Sequence, residues 1–325
     1  MFKKLNTKTL VIILVILVAI YFLADYLGNR ERSFRSTVVD VDTTRVTDIY
    51  IHMPKEAMDV HLNKTAPGEW QVSAGADAFA ADQNVVKNIL GQFAEMKPKR
   101  VAAVSSDRWE QYEVSDSTAT RVVLKNEDNE LADLYIGKFS YSQSEQAQAQ
   151  NPYQQQRGTM TSFVRLADED KVFAVDGFLK MSYQKDINSY RNKSLVNVNK
   201  DDISRVVFDY PVQDFTLSRE QEKWMLDGMA ADSAKMVKYL NTIARLNSSS
   251  FVDPSTSKTG DATHVVRIEG NNFSPVELKA FPTSDTLINY VVTSSKNPGA
   301  EFDGSKAQLY DKVFVSQSEL LPDGE

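Results

Sequence analysis

Apolar and polar positions along this chain fall into two stretches that repeat one another. Ala80-Ala81-Asp82 through Met96 aligns without a gap on Ala230-Ala231-Asp232 through Leu246. Val86 then faces Met236, Leu90 faces Leu240, Phe93 faces Ile243, Ala94 faces Ala244 and Met96 faces Leu246. Val86, Ile89, Leu90, Phe93 and Met96 recur at helical spacing, as do Met236, Tyr239, Leu240, Ile243 and Leu246. Each stripe predicts one amphipathic helix whose apolar face packs on a sheet. Asp82 and Asp232 precede the stripes, where a carboxylate accepts the unpaired N–H groups of a first helical turn. Pro98 helps to stop the first helix.

Strand patterns surround both helices. Val46 to Ile51 and Ile203 to Phe208 alternate, and a second run follows each, at Asp59-Val60-His61-Leu62 and Asp214-Phe215-Thr216-Leu217. A third run in each ends the set with tryptophan, at Glu69-Trp70-Gln71-Val72 and Lys223-Trp224-Met225-Leu226. Three short strands joined by polar turns predict an antiparallel meander. Beyond each helix lie Arg121–Leu124, Leu131–Ile136, Thr161–Leu166 and Val172–Val175, with counterparts at His264–Ile268, Val276–Phe281, Asn289–Thr293 and a short Glu301-Phe302. Closing helices are predicted near Phe178–Tyr183 and Ala307–Phe314. The expectation is an α+β chain with two tandem repeats, each an antiparallel meander with a helix on one face. Trp70 and Trp224 hold equivalent positions, which implies shared core packing.

The amino terminus has a different pattern. Lys3, Lys4 and Lys8 precede Leu10–Leu23, in which every residue is apolar or aromatic. A helix needs about 20 residues to cross the hydrocarbon core. Thr9–Gly28 supplies them if Asp25 lies at the headgroups, with Tyr21, Phe22 and Tyr26 as an interfacial belt. Bulky Phe22 stands two residues before the best cleavage position, after Ala24, which favours an uncleaved span over a signal peptide. Arg30, Arg32 and Arg35 equal the three lysines in number. Orientation therefore rests on the short amino-terminal tail, and it places the rest outside a bacterial inner membrane. The domain expectation is residues 1–36 as tail, anchor and linker, 37–198 as the first repeat and 199–325 as the second.

Charge narrows the partners. The formal net charge is −7, and residues 1–36 carry six Lys/Arg against two Asp/Glu, which leaves −11 for the remainder. Such a domain repels nucleic acid, since phosphate binding needs basic patches. The bilayer, through the helix, is the first expected partner. With no cysteine, disulfides, thiolate zinc sites, cysteine nucleophiles and lipoprotein attachment are all excluded.

Candidate chemistry is sparse. The three histidines are His52, His61 and His264. His52 and His61 flank a predicted hairpin turn and His264 lies in the other half, so exposed strand histidines are favoured over a metal site. The sequence contains no Gly-x-Ser-x-Gly elbow, phosphate loop or dinucleotide-binding turn. No catalytic residue, metal or cofactor is expected. Ser142–Gly158 is rich in glutamine and nearly free of aliphatics, which reads as a surface loop between two strands. Tyr153 within it, together with Trp109 and Tyr112 in a connecting segment, forms the candidate partner surface. Core or loop-anchoring use is favoured over a binding surface for Trp109.

Glu31 to Ser36, Val39 to Thr43, Lys97-Pro98-Lys99-Arg100-Val101, Trp109 to Val114, Phe163-Val164-Arg165-Leu166, Val172 to Gly177 and Ser189-Tyr190-Arg191-Asn192-Lys193 occur in an order that resembles the domain-of-unknown-function 4340 family found in Bacteroidetes-type bacteria. Many members have Tyr-Gly-Leu where this chain has Tyr112-Glu113-Val114. The family carries no established reaction. The resemblance implies an association with auxiliary components of ABC transporters of the type linked to gliding motility. The expected function is a non-catalytic, membrane-anchored envelope scaffold or accessory subunit. A binding module for an envelope polymer or small ligand, in a groove between the repeats, is the alternative, and a hydrolase the third reading.

Overall fold

Two large antiparallel sheets, each with one long helix against it, and a two-stranded sheet pairing Ser194–Asn197 with Arg245–Asn247 make up the computed structural model, which describes residues 14, 16–21, 36–74, 77–142, 159–183, 186–253, 256 and 258–322. The chain first forms β1 (Asp48–Met53), β2 (Met58–Ala66), β3 (Glu69–Ala74) and β4 (Asp77–Ala80), then helix α1 (Gln83–Ala94). After β5 (Pro98–Ala103) and a short helix α2 (Trp109–Tyr112) come β6 (Thr120–Asn126), β7 (Asn129–Ser142), β8 (Thr159–Leu166) and β9 (Val172–Asp176). Strand β10 (Ser194–Asn197) leads to β11 (Ile203–Asp209), β12 (Phe215–Glu220), β13 (Lys223–Leu226), β14 (Met229–Ala230) and helix α3 (Ser233–Ala244). The chain ends through β15 (Arg245–Asn247), β16 (His264–Gly270), β17 (Val276–Pro282), β18 (Tyr290–Ser294), β19 (Glu301–Asp303) and α4 (Leu309–Val313).

The first sheet runs β4-β3-β2-β1-β6-β7-β8-β9-β5 and the second β14-β13-β12-β11-β16-β17-β18-β19. In both, the opening strand sits in the middle, flanked by a three-strand meander on one side and the strands after the helix on the other. Local hydrogen bonds recur at matching places. Ala81 N donates to Trp70 O at 2.8 Å and Ala231 N to Trp224 O at 2.9 Å. Asp82 N donates to Tyr190 O at 2.7 Å and Asp232 N to Leu320 O at 2.9 Å. The Asp82 side chain accepts from Asn84 N at 2.9 Å, and that of Asp232 from Lys235 N at 2.8 Å. Both cap expectations hold.

The stripes are buried as their spacing requires, except that Leu90 is only half-buried against the first core. Val86, Ile89 and Phe93 of α1 and Met236, Tyr239, Leu240 and Ile243 of α3 lie in two separate cores, one built from Val38 to Tyr190, the other from Leu195 to Leu320. A small third cluster (Ala103, Val114, Phe163, Val172 and Ala174) covers the opposite face of the first sheet under α2.

Short elements escaped the pattern. β4, β10, β14 and β15 are brief, and the six-residue β5 exposes Lys99, Arg100 and Val101 in succession, so it shows no alternation. The first closing helix is a single 3-10 turn, Leu179–Ser182. In the second, Ala307 (φ 51°) and Gln308 (φ 55°) adopt left-handed backbone and delay the α-helix to Leu309. Among the described residues no helix is long and apolar enough to cross a membrane, and most of Thr9–Gly28 lies outside them. Leu14 and residues 16–21 are helical and exposed.

Candidate functional site

Two of the three residues singled out by sequence lie side by side on the outer face of the first sheet. Ser105 ends β5's extension and the chain turns through Ser106–Arg108 into α2. Glu113, at φ 56°, then reverses it toward β6. Trp109 donates its indole N–H to Asp170 O at 2.9 Å. Tyr112 donates its hydroxyl to Ala102 O at 3.1 Å, and its ring centroid stands 4.6 Å from that of Phe163. Gly137 makes room for this turn, because a Cβ there would run into the Tyr112 carbonyl and the Val114 side chain. Both aromatics are half-buried and packed on the third cluster. Tyr153 lies outside the described residues.

Under Trp109 sits Arg165, which pattern reading passed over. Its guanidinium carbon is 3.8 Å from the Trp109 ring centroid and 3.9 Å from that of Tyr135. Nε donates to Val114 O at 3.1 Å, and Nη2 lies 3.3 Å from Asp116 Oδ1. A buried guanidinium is tolerated because aromatic faces and carbonyls replace its water. Beside it, Arg121 donates Nε to Asp133 Oδ1 at 2.9 Å, and that bond raises the Arg121 pKa further. Burial raises the Tyr135 phenol, with its hydrogen bond to Asp116 adding to the effect. The signal was available: Arg165 interrupts the apolar run Phe163-Val164-Arg165-Leu166.

The second concentration of polar chemistry is the seam between the cores. Arg191 follows Tyr190, bridges Ala81, and is 6% exposed. Its guanidinium carbon lies 3.6 Å from the Phe79 ring centroid and 3.7 Å from that of Phe251, so each half supplies one face of the sandwich. Nη1 donates to Asn188 Oδ1 at 3.0 Å, while buried Nε has no partner. Burial lowers the Arg191 pKa, opposed by the charges of Asp186 and Asp77. Asn192 N donates to Ala80 O at 2.7 Å, and Asn297 Nδ2 donates to Asn192 O, also at 2.7 Å.

Next to this seam runs a groove of about 500 Å³ between the amino end of α1 and the β10–β15 pair. Asp82, Asn84, Asn192, Lys193, Arg245 and Lys296 are among its lining residues. Lys193 donates to Ser189 O at 3.1 Å, and no ion pair joins any of the three cations to a described residue. The groove is thus locally cationic in an acidic domain.

The histidines occupy three unlike places. His52 Nδ1 contacts Asp59, while His61 Nε2 lies 2.8 Å from Asp48 Oδ1 and stacks on Tyr50 at 4.3 Å. His264 was expected to be exposed, yet Tyr210, Tyr290, Tyr310 and Phe314 surround it. Burial lowers its pKa, and Thr263 Oγ1 lies 2.9 Å from Nδ1. Among the described residues no three His, Asp or Glu side chains are grouped to hold a metal.

A family profile described as "Domain of unknown function (DUF4340)" matches residues 70–146 and 154–263. The chain belongs to the DUF4340 family. The DUF4340 match runs from Trp70 to Thr263, and therefore takes in Trp109, Tyr112, Arg165 and the Arg191 seam. No curated protein and no solved structure matches this DUF4340 chain.

Proposed function

We propose that the protein is a non-catalytic scaffold or accessory subunit of an inner-membrane complex of ABC-type transport or gliding-related kind. An amino-terminal span anchors it, and two tandem α+β repeats stand outside the cytoplasm. The observation that carries this reading is the Arg191 sandwich, which fastens two separately cored halves to each other. A stiff two-unit body suits presentation of surfaces at fixed separation. The common strand order and the recurring Ala–Trp and Asp–carbonyl hydrogen bonds support the repeat reading. Helical, exposed apolar residues at Leu14 and 16–21 support the anchor.

The test has two arms. Protease added to spheroplasts should digest everything beyond about Arg30 and leave the extreme amino terminus intact, because only Thr9–Gly28 is long enough to span. Protection of the whole domain sinks the extracytoplasmic reading. In the second arm, the full chain is cross-linked in membranes and purified in detergent. Recovery of transporter subunits in fixed ratio supports the scaffold, and recovery of the chain alone removes it.

A second reading is favoured by the seam groove: a binding module for an anionic envelope polymer or small anion, held by Lys193, Arg245 and Lys296. Calorimetric titration with anionic envelope glycans should give salt-sensitive binding that Arg245→Glu abolishes. Binding that ignores that charge reversal would remove this reading.

A further inference from the structure

We infer that the end of the first sheet around the β7–β8 hairpin rests on the lipid surface beside the anchor. This rests on the membrane-anchored reading above and adds a contact to it. Tyr141 and Met160 are direct cross-strand partners, and Phe139 lies on the same face of β7 as Tyr141. Phe139 is 45% exposed, Tyr141 52% and Met160 44%. The Phe139 ring centroid is 4.1 Å from that of Phe178, which leads into the Leu179–Ser182 turn and exposed Met181. Elsewhere in the described fold, strongly exposed apolar residues such as Val212, Val237 and Leu287 are scattered singly, which is ordinary. Here aromatic and methionine side chains are grouped, which is not.

Register ties this patch to the place where the chain enters the fold. Val39 pairs with Met96, and two residues later Pro98 of β5 pairs with Val175 of β9. Val175 pairs with Ser162 of β8, and Ser162 with Phe139 of β7. At about 4.8 Å per strand and about 3.4 Å per residue, the patch lies roughly 20 Å from Val39. The expected span ends at Gly28, and the eight residues from there to Ser36 reach at most about 28 Å. The tether therefore keeps Ser36 within about 28 Å of the membrane boundary, near enough for this edge to reach the bilayer.

The chemistry fits an interface. Aromatic rings and methionine suit the boundary between headgroups and acyl chains. Lys180 follows Phe178 by two residues and Lys99 lies on β5 at this edge, whereas Lys138 and Arg100 turn to the outer face, 5.6 Å from the Tyr112 ring centroid and 5.9 Å from that of Phe163. Lys99 and Lys180 also pair with Asp176 and Glu113, through partly exposed contacts that water screens. The occupant with a fixed address at this edge is the bilayer itself.

The absence of cysteine allows a clean test. Tyr141→Cys, Met160→Cys and, as a control in the second half, Val212→Cys are made singly in the full chain and labelled with bimane. Each is reconstituted into phosphatidylethanolamine/phosphatidylglycerol vesicles with or without nitroxide-labelled lipid. Insertion predicts lipid quenching at 141 and 160 at least about threefold above that at 212. Quenching at 141 and 160 no greater than at 212, in protein that floats with the vesicles after alkaline washing, overturns the inference and leaves the anchor intact. Shielding from aqueous iodide without lipid quenching means that another protein segment covers the patch, and also overturns it. Failure to float removes the anchored reading, and this inference with it.

Discussion

The guanidinium carbon of Arg165 stands 3.8 Å from the ring centroid of Trp109, with Tyr135 against its other face. The indole is therefore a lid over a buried cation, in addition to being a half-exposed aromatic at the surface. Removing it would admit water to Arg165 and break the bond to Asp170 O, leaving only the Tyr112 bond to Ala102 O to hold the turn.

Trp109→Ala with Tyr112→Ala should consequently lower unfolding stability by about 2–4 kcal/mol, since large aromatics in packed sites cost that order when truncated. Leu240→Ala, in the α3 stripe, sets the scale at about 2–5 kcal/mol. Urea unfolding of the detergent-solubilised chain makes the comparison. If the double variant unfolds at the parental midpoint while losing a membrane partner, the two aromatics are a free docking surface after all.

Arg191 gives a sharper pair. Arg191→Ala empties the space between Phe79 and Phe251 and should cost about 2–4 kcal/mol. Arg191→Met keeps an unbranched chain between the rings and deletes the buried Nε that has no partner. It should stay within about 1 kcal/mol of the parent, because replacing a buried charge by an apolar side chain of similar length is often neutral. Equal losses for the two variants would mean that the charge, rather than the filling, fastens the seam.

His264 sets a pH dependence. Its folded pKa lies below the ordinary value of about 6.5 because burial among aromatic rings disfavours the cation. Below pH 6.5 the unfolded chain therefore takes up a proton more readily than the folded one. This contribution to stability is complete above that pH and falls as the solution is acidified towards the folded pKa. His264→Phe should abolish that part of the fall between pH 7.5 and 5.5, read as a smaller shift in urea midpoint. An unchanged pH profile would assign the effect elsewhere.

Ser142 and Thr159 are direct cross-strand partners. Replacing residues 143–158 with Asn-Gly should therefore close β7 onto β8 with a tight turn. Shortening the connection from sixteen residues to two predicts a gain of about 1–2 kcal/mol from loop-closure entropy alone. A loss of stability would mean that the glutamine-rich stretch makes contacts with the fold.

Both helices, their aspartate caps and the longer strands were legible because each carries a period. Val86 through Phe93 repeats at helical spacing, and Val46 to Ile51 alternates. Strands as short as β14 or as exposed as β5 carry no period to read. The seam was invisible for a different reason. Arg191 stands in the sequence as one charged residue in a polar linker, and only tertiary structure brings Phe79 and Phe251 to its two faces. Trp109 was visible as an outlying aromatic, but its role depends on Arg165, whose place inside an apolar run hints at burial without showing which rings enclose it.

The Arg191 sandwich also imposes an order of assembly. Phe79, Ala81 and Tyr190 all precede Arg191 or adjoin it, whereas Phe251 belongs to a segment made after the second helix. A chain emerging during synthesis can complete its first core while one face of the guanidinium still meets solvent. Arrival of Phe251 then closes the seam, so docking of the halves is a late step with its own rate. Hydrogen exchange pulsed during refolding should register it as delayed protection of Ser248, whose amide donates to Lys193 O, while Asn192, whose amide bonds Ala80 O within the first half, is protected early.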